Sequence, residues 1–268
     1  ANICAKAITA RNAFTIALSG GSLPSFLSTM DETFQKLNIE PSYDKWHVIL
    51  ADERCVPSTH DDSNLGSLQT KLFSTIPVPT AQIHGIDETL LQQNSPDKEE
   101  GGAPYDVAGS TALIAERYEA IVRDVLTKSG GMLDVAVLGF GPDGHTCSLF
   151  PNHLLLQEKE KWVTSITDSP KPPPNRITLT LPMLNEHTRY VVFCGAGASK
   201  LPIIQAAWQN QLEDATATAF ETPLADPAPY PCSMVRPMQA DGDGSSSEHR
   251  LIWVVDRDAA VTSTTKSS

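Results

Sequence analysis

Five short apolar runs fix the frame of this chain. They are Phe14–Leu18 (FTIAL), Trp46–Ala51 (WHVILA), Leu133–Leu138 (LDVAVL), Tyr190–Cys194 (YVVFC) and Leu251–Val255 (LIWVV). None alternates polar with apolar residues, so each predicts a strand covered on both faces rather than one lying half in water. Helical patterns separate them: one over residues 1–11, one from Leu23 to Leu37 and one from about Val107 to Leu126. In the last, Ile114, Tyr118, Ile121 and Val125 recur at spacings of three and four, which gives one packing face. The β–α alternation predicts an α/β fold, a doubly wound, mostly parallel Rossmann-like sheet with helices on both faces. A chain of 268 residues is long enough to bury that core as a single domain. Two polar, Gly/Pro-rich stretches, 92–106 and 223–248, are expected to be mobile insertions, and the tail 261–268 to fray.

Charge and cysteine usage narrow the partners. The chain carries 20 basic and 32 acidic side chains, a formal net charge of −12. Nucleic acid is therefore not the expected partner, because phosphate backbones recruit clustered Lys and Arg. A small anion needs only a few local cations. No apolar run approaches the roughly 20 residues of a membrane-spanning helix, and ANICAKAITARNAF has no signal-peptide core. The five cysteines, Cys4, Cys55, Cys147, Cys194 and Cys232, are widely spaced without a C-x-x-C pair, which points to a reducing cytoplasm. The expected oligomeric state is a monomer.

In open parallel sheets ligands bind beyond the carboxyl ends of the strands, and four loops there carry unusual residues. Ser19-Gly20-Gly21-Ser22 follows the first strand. Glycines at a helix start suit an anion, above all phosphate, although a simple tight turn satisfies the same pattern. No G-x-x-x-x-G-K is present, so this is not a nucleotide P-loop. Asp52-Glu53-Arg54 leaves the second strand. Arg54 suits a carboxylate, phosphate or developing oxyanion, whereas Glu53 reads equally as part of a solvated loop with an internal ion pair. In Asp61-Asp62-Ser63-Asn64 a helix N-cap is the expectation, with Asn64 reaching towards the pocket.

The third loop, Gly139 to Thr146 (GFGPDGHT), contains G-x-G-x-x-G but follows a central strand and is stiffened by Pro142, so a dinucleotide site is set aside. Its glycines bend the chain around His145, a general-base candidate, with Asp143 placed to orient it. Cys147 and Ser148 lack a nucleophile-elbow context and are expected to pack or cap. His60, His153 and His187 have no metal-ligand spacing, so no metal is predicted. The fourth loop, Ser169 to Arg176 (SPKPPPNR), holds Lys171 and Arg176 on a proline-stiffened segment, either a pre-organised anion clamp or a rigid spacer.

The stretches SGGSLPSFL, ADERCVPSTHDDSN, LGFGPDGHTCSLFP and SPKPPPNRITLTLP, continued by CSMVRP and LIWVVD, together resemble the 6-phosphogluconolactonase family. The resemblance spans nearly the whole chain in order. It implies the fold shared with glucosamine-6-phosphate deaminase and ribose-5-phosphate isomerase. It also implies hydrolysis of 6-phosphoglucono-δ-lactone, the second step of the oxidative pentose phosphate pathway, without a cofactor. The family's usual first strand and part of its first helix would precede residue 1 of this sequence. The expected chemistry has His145 activating a water at the lactone carbonyl. Asp143 and Asp52 orient and tune the groups, Arg54 serves the oxyanion or the phosphate, and Gly20, Gly21, Ser22, Asn64, Gly144, Lys171 and Arg176 complete the substrate site.

Two rivals share the fold. An aminosugar-phosphate deaminase or isomerase would show G-x-x-G-H-I-x-F-N-E-P where this chain has GPDGHTCSLFP, and an aromatic residue where it has Arg54. A non-catalytic sugar-phosphate-binding protein would have an eroded catalytic loop, whereas His145, Asp143 and Arg54 are all present.

Overall fold

All five apolar runs become parallel strands of one sheet. The computed structural model describes residues 1–91, 110–208, 224–237 and 251–260. The strands are β1 (Phe14–Leu18), β2 (Trp46–Leu50), β3 (Asp52–Arg54), β4 (Ile83–His84), β5 (Leu133–Gly139), β6 (Val163–Ile166), β7 (Arg176–Leu179), β8 (Thr188–Gly195) and β9 (Leu251–Val255). The helices are α1 (Asn2–Arg11), α2 (Leu23–Leu27), α3 (Met30–Lys36), α4 (Asn64–Leu68), α5 (Thr111–Thr127), α6 (Leu181–Glu186), α7 (Leu201–Ala207), α8 (Pro231–Met234) and α9 (Arg257–Ala260).

The main sheet has the order β4-β2-β1-β5-β8-β9, with every neighbouring pair parallel. All of β1 and the first six residues of β5 are buried, as strands covered on both faces must be. Helix α5 packs through Ile114, Tyr118, Val122 and Val125, while Ile121 is only half-buried. Its Tyr118 hydroxyl accepts from the Leu50 amide at 2.6 Å and donates to the His84 carbonyl at 3.0 Å, tying the helix to the β2–β4 edge. At the amino ends of β1 and β5, buried Asp134 accepts from the Thr15 amide and hydroxyl and pairs with Arg11 and Arg189. These charges satisfy one another at the end of the sheet opposite the four loops.

Four features differ from the sequence expectation. The edge strand β9 is not covered on both faces, since Ile252 and Val254 are exposed. The helix over Leu23–Leu37 is two helices, α2 and α3. Ser28 breaks it by donating its hydroxyl to the Ser25 carbonyl, a local bond that competes with continued helix. A second, antiparallel sheet, β3-β7-β6, is not foreseen by the apolar runs. The chain passes into it at Ala51, whose amide still bonds the Leu18 carbonyl of β1 while its own carbonyl accepts from the amide of Leu179 at the end of β7. Within the stretch expected to be a mobile insertion over 223–248, residues 224–237 form a packed segment with Cys232, Ser233 and Val235 buried. The rest of that stretch, the other expected insertion at 92–106, helix residues 107–109 and the tail 261–268 lie outside the described residues. No helix among the described residues is long and apolar enough to cross a membrane.

From β1 the chain runs through β2 to β4 on one side, and its later strands fill the other side from β5 outward. The crevice between β1 and β5 is therefore the switch point at which doubly wound sheets bind ligands. The Ser19–Ser22 loop leaves β1 and the Phe140–Thr146 loop leaves β5, so the topology alone brings them together.

Candidate active site

The loop after β5 folds tightly around its histidine. The Gly141 amide donates to the His145 carbonyl at 2.8 Å and the Gly144 amide to the Gly141 carbonyl at 3.0 Å. Gly144 lies at φ +79°, with the Tyr230 ring where a Cβ would stand. The bend sets His145 Nδ1 2.5 Å from Asp143 Oδ1. Phe150 stacks on the imidazole with ring centroids 4.9 Å apart. From the proline-rich loop, Lys171 Nζ reaches 3.0 Å from Asp143 Oδ2 and 3.0 Å from His145 Nδ1. Residues 26 positions apart thus meet in one cluster.

The charges fix the roles. Burial acts to raise the Asp143 pKa, but hydrogen bonds from His145 and Lys171 and their charges outweigh it and hold the carboxyl well below the usual range. An ionised Asp143 accepts a hydrogen bond from Nδ1–H of a neutral imidazole, which leaves the lone pair on Nε2; Nε2 has no protein partner among the described residues. Burial pulls the His145 pKa below its ordinary value; Asp143 opposes that shift, Lys171 adds to it and Asp52 opposes it. The ring is therefore neutral and basic at pH 7.

Asp52 and Asn64 sit beneath this cluster. Both are buried, and Asn64 Nδ2 donates to the Asp52 carbonyl at 2.9 Å and lies 3.4 Å from Oδ1. Asn64 thus turns its amide inward rather than offering it to a ligand. It also fills the space over Gly20, where a Cβ would collide with Oδ1. Gly21, at φ +67°, and Ser22 are exposed at the mouth.

Glu53 is not in a solvated loop. It is 1% exposed and accepts from the Arg54, Asn64 and Leu65 amides and the Ser63 hydroxyl. Burial pushes its pKa up to about 7 against those amide bonds. The expected N-cap is present: the Ser63 hydroxyl accepts from the Gly66 amide at 3.0 Å at the start of α4.

Three further cations, Arg54, Arg176 and Lys200, accompany the cluster. Arg54 donates through Nη1 to the Asp62 carbonyl at 2.5 Å, while its Nε is buried without a partner among the described residues. Arg176, paired across the strands with Arg54, is 3% exposed. Its Nε and Nη2 donate to the carbonyls of Pro173, Lys171 and Pro172, so much of this guanidinium braces the proline loop rather than facing a ligand. Its Nη1 has no hydrogen-bond partner among the described residues.

Lys200, which the sequence reading misses, donates to the Phe140 carbonyl and stands over that ring. Its contact with Phe140 puts it beside the catalytic loop, and burial together with the nearby charge of Lys171 lowers its pKa. The missed signal is GAGASK, a Gly-rich loop at the carboxyl end of β8 like the loops after β1 and β5. Cys147 is buried and burial raises its thiol pKa, so it is not a ready nucleophile.

A family described as glucosamine-6-phosphate isomerases/6-phosphogluconolactonase matches residues 1–243. The human 6-phosphogluconolactonase is 36% identical over 252 residues, covering 94% of this chain and 81% of its own length. A rice protein named probable 6-phosphogluconolactonase 3, chloroplastic, is 37% identical over 211 residues, and the chain spans only 61% of that relative's length. Among solved structures, the Leishmania guyanensis 6-phosphogluconolactonase is 25% identical with a TM-score of 0.61, covering 92% of this chain and 85% of its own. A monomeric glucosamine-6-phosphate deaminase, 16% identical with a TM-score of 0.61, covers 97% of this chain and 92% of its own and shares the fold alone. By family match and relatives together, the chain belongs to the glucosamine-6-phosphate isomerase/6-phosphogluconolactonase family.

Proposed function

We propose that this chain hydrolyses 6-phosphoglucono-δ-lactone to 6-phosphogluconate, with His145 as general base. The observation that carries the proposal is the His145–Asp143–Lys171 cluster, a neutral imidazole with Nδ1 committed to a carboxylate and Nε2 unpaired among the described residues. His145 Nε2 takes a proton from water as its oxygen adds to the lactone carbonyl. The tetrahedral intermediate collapses as the same proton passes to the ring oxygen, which leaves as the 5-hydroxyl. Asp143 touches no substrate and acts as a positioning residue. Arg54, Lys171 and Lys200, with the exposed Gly21–Ser22 segment, are assigned to the anionic oxygens of substrate and intermediate. Metal and cofactor play no part in this scheme.

A deaminase reading has no comparable support, because Phe150 stands five residues after His145, where that pattern places its glutamate. The net charge of −12 favours a small anion over nucleic acid as partner. The five unpaired cysteines support a reducing compartment, which we take to be the cytoplasm, and the working form is proposed to be a monomer.

Comparing the 6-phosphorylated lactone with unphosphorylated gluconolactone tests the substrate assignment. The phosphorylated lactone is expected to have the higher kcat/KM by about a hundredfold or more, since remote binding energy positions the reacting carbon. Equal values would remove the phosphate-binding role of the cations.

The pH dependence has a definite sign. The acid limb of kcat/KM is expected below the ordinary histidine value of 6.5, because burial lowers the His145 pKa. Lys171→Ala removes a positive neighbour, so the His145 pKa rises and the limb moves to higher pH. Rate profiles between about pH 5 and 8, around the usual histidine range, decide this. A limb that stayed in place or moved down would break the electrostatic assignment.

A further inference from the structure

Ser148 takes no part in the scheme above, yet it is the point at which the catalytic loop is fastened to the second sheet. It is fully buried and three residues beyond His145. Its hydroxyl donates to Asp52 Oδ2 at 2.9 Å, and its amide donates to Thr178 Oγ1 at 3.1 Å. Asp52 and Thr178 face each other across β3 and β7. Ser148 therefore docks by two bonds onto one cross-strand pair. The chain of contacts continues: Asn64 donates to Asp52 and occupies the space over Gly20. The result is a buried polar bridge, Ser148–Asp52–Asn64, whose last side chain packs over Gly20 and so links the base loop to the turn after β1.

Packing alone does not require this arrangement. A buried serine donating to a buried carboxylate fixes the direction of that carboxylate, since leaving it unpaired is costly. Asp52 is close enough for its charge to act on His145. We propose that Ser148 is a positioning residue for lactone hydrolysis, acting through Asp52 to hold the loop of His145 in register with the Gly20–Gly21 turn. The role in hydrolysis rests on the function proposed above.

The test uses the full chain with Ser148→Ala and the near-isosteric, weaker donor Ser148→Cys. Ser148→Ala is expected to lower kcat by about ten- to a hundredfold, because sub-ångström misplacement of a base costs rate steeply. KM should move less than about threefold, and Ser148→Cys should fall between alanine and wild type. In an Asp52→Asn background the alanine change should cost little more, since its route is already cut.

A readout independent of turnover is the titration midpoint of the His145 ring, followed by NMR on its Cε1 proton. It should fall in Ser148→Ala as the Asp52 carboxylate turns away. If Ser148→Ala does not fold, the cysteine variant carries the same readouts. An unchanged kcat, an additive cost in the Asp52→Asn background or an unmoved midpoint in folded protein would overturn the proposal. Should the wild type fail to speed lactone loss, the function proposed above fails, and the midpoint still decides whether Ser148 sets the Asp52–His145 geometry.

Discussion

Replacing His145 with alanine is expected to lower kcat for the phosphorylated lactone by about two to four orders of magnitude, with KM within a fewfold of wild type. The argument is geometric before it is electrostatic. Asp143 fixes Nδ1, Phe150 fixes the ring plane, and the Nε2 lone pair is the basic atom that remains. No other neutral base shares the cluster: Asp143 is a weakly basic carboxylate and Lys171 is its ion-pair partner. Alanine leaves the cations in place, so binding should survive. Steady-state kinetics corrected for spontaneous lactone opening make the comparison. Full activity in a folded His145→Ala protein would transfer the base role elsewhere.

A second large loss is expected from Gly141→Ala, a change that touches no charge. A Cβ on Gly141 would lie inside van der Waals contact with Nδ1 and Cε1 of His145 and with Oδ1 of Asp143. Gly141 does not occupy the left-handed region, so alanine suits its backbone and the conflict is one of space. The two side chains must separate or turn, which breaks the bond that sets the tautomer. A fall in kcat of about a hundredfold is expected, with the thermal midpoint lowered far less than a core cavity would lower it. Crystals of the variant should show His145 rotated from Asp143. A variant with wild-type kcat would show that this pair tolerates displacement and does not set the rate.

The parallel sheet could be read from the sequence because covered strands betray themselves as largely apolar runs without alternation, such as FTIAL and LDVAVL. The second sheet could not. Asp52-Glu53-Arg54 reads as a water-facing loop, since a carboxylate satisfied by amides looks the same in sequence as one satisfied by water. Its partner strands are only four residues each, and their burial comes from tertiary contact.

Within the site, Asp143 and His145 were readable as a pair because a single glycine separates them inside a glycine-bent loop. That Lys171 would join them depends on where a proline-rich loop is carried by the second sheet, which local pattern does not encode. Arg176 shows the converse. Its charge suggests a ligand, but the guanidinium is itself buried, and its Nε and Nη2 donors are met by the carbonyls of Lys171, Pro172 and Pro173 in the loop it braces.

The decisive measurement is the rate of loss of 6-phosphoglucono-δ-lactone at pH 7 with the full chain, set against spontaneous opening in the same buffer. The account predicts a rate proportional to protein concentration, saturating in lactone and abolished to near background by His145→Ala. Lactone loss no faster than buffer alone, from protein shown to be folded, would contradict it.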